Sequence, residues 1–139
     1  MLAFAADQGS KILVRWALPP GTAWAPIPGA EAWFSVRLGV NSGAAFGLFQ
    51  GAGAVFVFAA AVVILAILGL YLTHRLIAWP VAMALGLIAG GAAGNLLDRL
   101  RFGGAVDFLC VGPLPAFNLA DVCLLLGAAV LLAWGLRRR

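Results

Sequence analysis

Charged residues are scarce in this chain of 139 residues: they make up 10% of it, whereas hydrophobic residues make up 64%. A soluble domain has about 25% charged and about 45–50% apolar residues. A chain with so little polar surface would not stay dispersed in water. The composition therefore excludes an ordinary soluble domain and indicates a membrane protein, whose length suits a single domain of residues 1–139.

Cysteine and histidine are also scarce, which excludes several kinds of site. Cys110 and Cys123 form no CxxC pair, so no disulfide framework is expected. His74 is the only histidine, so zinc would lack ligands, and a Cys–His pair would be split across the membrane. No GxSxG elbow is present, and a dyad of Ser42 and Lys11 is a minor alternative. We expect no metal and no cofactor.

The net charge of +4 does not indicate a nucleic-acid partner. The basic residues are scattered through apolar sequence and form no basic face. The C-terminal arginines 137–139 are better interpreted as a cytoplasmic anchor.

Long apolar runs predict four transmembrane helices, at residues 1–18, 52–72, 80–97 and 119–136. About 20 residues are needed to cross roughly 30 Å of hydrocarbon. The first run is interrupted by three charged residues at a spacing of four, which predicts a polar stripe that faces the protein. The third contains Gly86, Gly90 and Gly94, a spacing that lets another helix approach closely.

The segment 19–50 differs from the apolar runs. Its first part is rich in proline and glycine and predicts a loop. Residues 32–40 then show a period of two, with an aliphatic or phenylalanine side chain at every second position. This pattern predicts a short strand at the membrane surface. The predicted fold is therefore an all-α membrane protein of four transmembrane helices, with a small extracytoplasmic strand and loop subdomain between helices 1 and 2.

Four spans place both termini on one side of the membrane. Arg75 and the C-terminal arginines share that side, which the positive-inside rule makes cytoplasmic. The loop 19–50 and the segment 98–118 then lie outside. Arg99 and Arg101 depart from this trend, because they lie on the outer side next to acids.

The five acids are the first candidates for chemistry, because acids at a membrane edge are costly to place there. They are Asp7, Glu31, Asp98, Asp107 and Asp121. The predicted topology brings Asp107 and Asp121 to the same outer face. Two nearby carboxylates in a poorly solvated site do not both ionise easily, so one keeps a proton while the other accepts one from water. This arrangement suits aspartic peptide hydrolysis.

Each acid also has a purely structural interpretation. Asp107 is free to pair with Arg99 or Arg101 at the surface. Asp98 lies near a helix C-terminus, where the helix dipole disfavours it, so we expect it to pair with Arg99. Glu31 is expected to be a solvated loop residue.

Asp121 and three asparagines also have a purely structural interpretation. Asn118 and Asp121 have the spacing of a helix N-cap followed by an acid at the third helical position. Asn41 fits a turn cap and Asn95 an interhelical hydrogen bond. Amides at such positions also orient a catalytic carboxylate or a substrate backbone, and the residues alone leave both interpretations open.

Three sequence blocks, taken in order, resemble the bacterial lipoprotein signal peptidase (signal peptidase II) family. The blocks are Asn41-Ser-Gly-Ala-Ala-Phe46-Gly, then Gly90-Gly-Ala-Ala-Gly-Asn95-Leu-Leu-Asp98-Arg99 continuing to Val106-Asp107-Phe108, and Pro115-Ala-Phe117-Asn118-Leu-Ala-Asp121. A weaker fourth block is Asp7-Gln-Gly-Ser-Lys11. The shared order and spacing along nearly the whole chain make the match specific.

The resemblance implies a metal-free aspartic endopeptidase of the bacterial plasma membrane, with its active site at the extracytoplasmic face. Its substrates would be prolipoproteins that carry a diacylglyceryl group on a cysteine, and it would cut just before that cysteine. Membrane lipids are the other expected partners, and we expect a monomer. The family's catalytic pair falls on Asp107 and Asp121. Its supporting positions fall on Asp7, Lys11, Asn41, Asn95, Asp98, Arg99 and Asn118.

Two features depart from the family's pattern. Only six residues precede Asp7, and the segment between Asp107 and Asp121 is compact. Either the start of the chain is clipped or the first span is short on its cytoplasmic side, and we expect a reduced loop over the site.

Two other functions are compatible with the composition. A small ion-coupled transporter also uses intramembrane acids, but here the acids cluster at one face and no internal repeat is evident. A non-catalytic protein that binds signal helices is the other alternative, although both candidate aspartates are present.

Overall fold

The computed structural model describes residues 1–19, 21–43, 53–74 and 77–137. Within these ranges the chain forms four α-helices and three β-strands. In chain order they are α1 (Leu2–Ala17), β1 (Ala23–Trp24), β2 (Phe34–Asn41), α2 (Gly53–Thr73), α3 (Trp79–Phe102), β3 (Ala105–Val111) and α4 (Leu119–Leu136).

Among the described helices, α2, α3 and α4 are long and apolar enough to cross a membrane. Their outward faces carry large exposed apolar side chains, such as Phe58 and Leu65 on α2 and Leu125 and Leu132 on α4. Such faces are stable only against lipid or another apolar surface. A mostly helical membrane protein with a small sheet is thus confirmed. The helix α1 has 16 residues, and its crossing of the membrane remains a prediction.

The helix α3 packs against α1, α2 and α4, and small residues allow two of these close contacts. A Cβ atom added at Gly90 would lie 2.7 Å from the Ala3 Cβ of α1, and one at Gly94 would collide with the Asp7 carboxylate. The close approach predicted for these two glycines is therefore confirmed. For Gly86 it is wrong, because no atom of the described residues lies within 4 Å of an added Cβ.

The helices α3 and α4 meet through glycines on both sides. A Cβ at Gly91 of α3 would lie 2.5 Å from the backbone oxygen of Ala120, and one at Gly127 of α4 would lie 2.7 Å from that of Ala84. Each glycine thus lies directly against the backbone of the other helix and leaves no room for a side chain. The two helix axes come this close because both positions lack a Cβ.

The strands form one antiparallel sheet in the order β1-β2-β3. A strand lies where the alternating pattern predicts one, since β2 covers Phe34–Asn41. β2 pairs with β3, with Gly39 opposite Asp107 and an irregularity between Val36 and Gly39. The strand subdomain was predicted to lie wholly between α1 and α2. This is wrong in part, because the third strand of the sheet follows α3.

The strand β3 was not predicted, because its residues do not alternate between apolar and polar. Its first four residues are all buried, and a strand buried on both faces shows a continuous apolar run instead of a period of two. The helix α3 also runs five residues past the predicted end at Leu97, through Asp98 and Arg99. It ends at Phe102, and the following Gly103, with a φ of 74°, forms the left-handed cap that favours glycine.

The glycine contacts predict a difference between two matched substitutions. Gly127→Ala forces a Cβ against the Ala84 backbone, and overpacking of this kind costs about 1–3 kcal/mol. Gly86→Ala has open space and gains helix propensity, so it should be neutral or stabilising by up to about 1 kcal/mol. Unfolding of both variants in detergent measures the difference, and equal stabilities would contradict the packing described.

Candidate active site

Asp107 and Asp121 line one cavity of about 320 Å³ at the end of the helical bundle where the sheet lies. β3 carries Asp107, and the first turn of α4 carries Asp121. The other lining residues are Asn41, Gly43, Arg99, Ala105, Leu114, Pro115, Ala116 and Phe117. The two carboxylates thus face a common space that is mostly apolar apart from a few polar groups.

The first turn of α4 positions Asp121 through a capping box with Asn118. The Asn118 side chain accepts a hydrogen bond from the Asp121 backbone N–H, at 3.0 Å. The Asp121 Oδ2 in turn accepts the Asn118 backbone N–H, at 3.2 Å. This reciprocal pair satisfies N–H groups that a helix start otherwise leaves unpaired. The structural interpretation of both residues is confirmed, and it leaves Asp121 Oδ1 free for another contact.

Asn118 also connects the two carboxylates. Its Nδ2 donates to Asp107 Oδ1 at 2.7 Å and to Asn95 Oδ1 at 3.0 Å. The Asn95 Nδ2 then donates to Asp121 Oδ1 at 2.8 Å. The interhelical hydrogen bond expected of Asn95 is therefore present, and its partner is a candidate catalytic carboxylate.

Asn41 combines both roles considered for it. Its Oδ1 accepts the Gly43 backbone N–H at 3.0 Å, as a turn cap does. Its Nδ2 donates to Asp107 Oδ2 at 3.0 Å. Both oxygens of Asp107 therefore accept an amide N–H, one from the end of β2 and one from the start of α4.

A second polar cluster lies behind these residues, between α1 and α3. The Lys11 Nζ lies 2.7 Å from Asp7 Oδ2 and 2.7 Å from Asp98 Oδ2. The three side chains are buried. This confirms that the polar stripe of α1 faces the protein, except that Arg15 is exposed and stacks over the Phe102 ring. The alternative of a serine–lysine dyad is left without support, because the ammonium of Lys11 is paired with Asp7 and Asp98.

The expected pairing of Asp98 with Arg99 is wrong. Neighbouring residues on a helix point about 100° apart, so Asp98 turns towards Lys11 while Arg99 faces the cavity. The Arg99 Nη1 donates to the backbone oxygen of Asn95, and its guanidinium lies 5.1 Å from the centre of the Phe56 ring.

The structure also gives no surface ion pair for Asp107. Asp107 is buried, and within the described residues no arginine lies within ion-pair distance of it. Glu31, by contrast, is an exposed loop residue, as expected.

Gln8 joins the polar cluster around Lys11, although it was not among the predicted site residues. Its Nε2 lies within hydrogen-bond distance of Asp98 Oδ1 at 3.0 Å and Asp7 Oδ2 at 3.2 Å. A signal was available, because a lone amide beside a charged stripe in an apolar helix is unusual. Its partners could not be known, since one of them is 90 positions away in the chain.

Burial sets the electrostatics of Asp107. Loss of solvent raises the pKa of its carboxyl from 3.8 to about 6, and the negative charge of Asp121 acts in the same direction. The hydrogen bonds from Asn41 and Asn118 and the positive charge of Lys11 lower that pKa, but they do not outweigh burial. The carboxyl of Asp107 therefore holds a proton at a pH where an ordinary aspartate has lost it.

Comparisons with known proteins agree with this architecture. The lipoprotein signal peptidase of Dehalococcoides mccartyi is 42% identical over 126 residues, which cover 88% of this chain and 76% of the relative. That of Moorella thermoacetica is 38% identical over 136 residues, which cover 98% and 88%.

Two solved structures share the fold. A bacterial membrane enzyme determined by the in meso method at 2.3 Å resolution superposes with a TM-score of 0.86 and 25% identity, over 98% of this chain and 84% of that one. A second, at 1.9 Å resolution, gives a TM-score of 0.84 and 25% identity, over 99% and 90%. The family model for signal peptidase (SPase) II matches residues 1–137. With the sequence relatives, this match shows that the chain belongs to the signal peptidase II family.

Proposed function

We propose that this protein is a membrane aspartic endopeptidase that removes signal peptides from diacylglyceryl-modified prolipoproteins, cutting just before the lipid-bearing cysteine. The observation that carries the proposal is the shared cavity, in which Asp107 and Asp121 are linked through the amides of Asn118 and Asn95. Membership of the family and the names of its relatives support the substrate class. Neither the transporter nor the non-catalytic alternative is favoured by any observation.

The two aspartates have different chemical roles in this proposal. Asp107, with its raised pKa, carries the shared proton, and Asp121 acts as the base. A water oxygen attacks the scissile carbonyl carbon while Asp121 takes one water proton and Asp107 gives its proton to the carbonyl oxygen. The tetrahedral intermediate then collapses as the C–N bond breaks. The cysteine nitrogen takes up a proton from Asp121. The proton that Asp107 had given to the carbonyl oxygen returns to Asp107.

The arrangement of the elements suits a substrate held in the bilayer. The cavity lies where α3 ends and α4 begins, at the same end as the sheet. A signal helix lying beside α2, α3 and α4 would bring its end to this level. In this proposal α1 is the fourth membrane span, both termini are cytoplasmic, and the cavity opens at the extracytoplasmic face of the bacterial plasma membrane. The protein works as a monomer.

Substitution of either aspartate tests the dyad directly. Asp107→Asn and Asp121→Asn keep the side-chain shape but remove the acid, so each should lower kcat by on the order of 10²–10⁴-fold. A gel-shift assay on a purified diacylglyceryl-modified prolipoprotein measures this, and the same prolipoprotein without the lipid should remain uncut.

The matched control is Glu31→Gln, an acid-to-amide change in an exposed loop. It should cleave at the wild-type rate, as should the wild type in the presence of a chelator. Cleavage that survives substitution of either Asp107 or Asp121 would refute the dyad.

The raised pKa of Asp107 predicts how stability depends on pH. A carboxyl whose folded pKa is raised stabilises the fold fully below its unfolded pKa of 3.8, and this contribution is lost as the pH rises through about 6. Relative to Asp107→Asn, the wild type should therefore lose thermal stability as the pH rises from about 4 to about 6, and should change little more above that pH. Parallel curves for the two proteins would contradict the burial of an ionisable Asp107.

Two substitutions of Asn118 distinguish its role as a helix cap from its role in positioning the Asp107 carboxylate. Asn118→Ser keeps a good N-cap but removes the amide that donates to Asp107 and Asn95. Removing a hydrogen bond to a buried group costs about 1–3 kcal/mol of stability, so Asn118→Ser should be destabilised by an amount in that range. The Asp107 carboxyl also loses a group that orients it, so kcat should fall roughly 10–100-fold. Asn118→Ala should in addition lose about 1 kcal/mol of stability. Full activity of the serine variant in the same assay would show that the amide bridge is not needed.

A further inference from the structure

The ammonium of Lys11 joins two carboxylates that come from different helices. It lies 2.7 Å from Asp7 Oδ2, one turn earlier on α1, and 2.7 Å from Asp98 Oδ2 on α3. Lys11 is 2% exposed, Asp7 0% and Asp98 1%. We call these three side chains the Lys11 cluster. It carries one net negative charge, and water does not screen it.

Each carboxylate of the Lys11 cluster also accepts one backbone N–H from another element of the structure. The Asp7 Oδ1 accepts the N–H of Ala120 at 2.9 Å. The Asp98 Oδ2 accepts the N–H of Val106 at 3.0 Å. Ala120 directly precedes Asp121, and Val106 directly precedes Asp107. One lysine therefore connects, through two carboxylates, to the backbone on which both candidate catalytic residues stand.

We propose that Lys11 is a positioning residue that sets the placement of Asp107 relative to Asp121 by holding Asp7 and Asp98 together. This inference rests on the proposed function. It explains why α1 carries buried charges although none of the described residues that line the cavity belongs to α1. Lys11 also bonds to Asn95 Oδ1, at 3.2 Å, and Asn95 holds Asp121 directly, so the two routes reinforce each other.

A buried ion pair is weak evidence for stability, because desolvation offsets most of the attraction. Its better-supported use is to select one geometry among several. Here Lys11 contacts α1 and α3 at once, and the two N–H groups that Asp7 and Asp98 accept belong to the α4 start and to β3. The Lys11 cluster thus makes a hydrogen bond to β3, which carries Asp107, and to α4, which carries Asp121. An ion pair with a purely local role would make neither bond.

The test compares three variants of the full chain. Lys11→Met removes the charge but keeps an unbranched side chain of similar length. The double variant Lys11→Met with Asp98→Asn restores one net negative charge to the cluster, and the new amide keeps an acceptor oxygen for Val106. Arg15→Met is the matched control, the same kind of change one turn later on α1, at an exposed residue.

The first readout separates kcat from KM on the diacylglyceryl-modified substrate. Misplacement of catalytic groups by about 1 Å can cost 10²-fold, so Lys11→Met should lower kcat by on the order of 10²-fold and change KM less than about threefold. In the double variant the thermal midpoint should recover while kcat stays low, because charge balance returns but the connection between Asp7 and Asp98 does not. Arg15→Met should match the wild type in kcat.

The second readout needs no activity. The backbone amides of Val106 and Ala120 should both exchange faster with solvent deuterium in Lys11→Met, measured by NMR in detergent micelles. They should exchange at the wild-type rate in Arg15→Met. A lysine with a purely local role would change exchange on α1 and leave these two amides, 95 and 109 positions away in sequence, as they were.

The outcomes distinguish the two proposals. If the wild type does not cut the substrate but both amides lose protection together in Lys11→Met, the proposed function fails and the positioning role holds. If the wild type cuts and Lys11→Met keeps its kcat and both protected amides, the positioning role is overturned and the function stands. A double variant that regains wild-type kcat would also overturn it, because charge balance alone would then explain the effect.

Discussion

Polar side chains that are removed from water must find hydrogen-bond partners, and the organisation of this protein follows from that requirement. Within the described residues the buried polar side chains include Asp7, Lys11, Asn95, Asp98, Asp107 and Asn118. Their bonds run from α1 to α3 and to the start of α4, from α3 to α4, and to β3 from α3 and from the start of α4. Breaking one contact leaves an unpaired charge or amide in an apolar surrounding, so these elements hold each other in one arrangement.

Close packing of small residues makes this network possible. The Asp7 carboxylate fits between α1 and α3 only because Gly94 has no side chain. Gly91 likewise allows the start of α4 to approach α3, which brings Ala120 within reach of Asp7. The glycines of α3 are thus part of the reason that the polar groups meet, and they also give α3 its central position.

The same burial that demands partners gives Asp107 its chemistry. Amide donors from Asn41 and Asn118 orient its carboxylate without adding a full charge, so desolvation still dominates and the pKa rises. A nearby lysine in direct contact would have cancelled that effect. Lys11 instead lies behind Asp98 and Asp7, where its charge is largely matched. The network therefore holds the two aspartates in place while leaving one of them able to keep a proton.

The sequence by itself determined the membrane character, the approximate position of the helices, the strand β2 and the set of polar positions. These follow from local properties: the length of apolar runs, a period of two, and ordered motifs. The pairing of Asp98 with Lys11 and the strand β3 were decided only by the tertiary structure. Asp98 and Lys11 are 87 positions apart in the chain, and a strand buried on both faces has no periodicity to distinguish it. Which partner a polar group finds depends on how closely the helices pack, and that distance is a property of the folded chain.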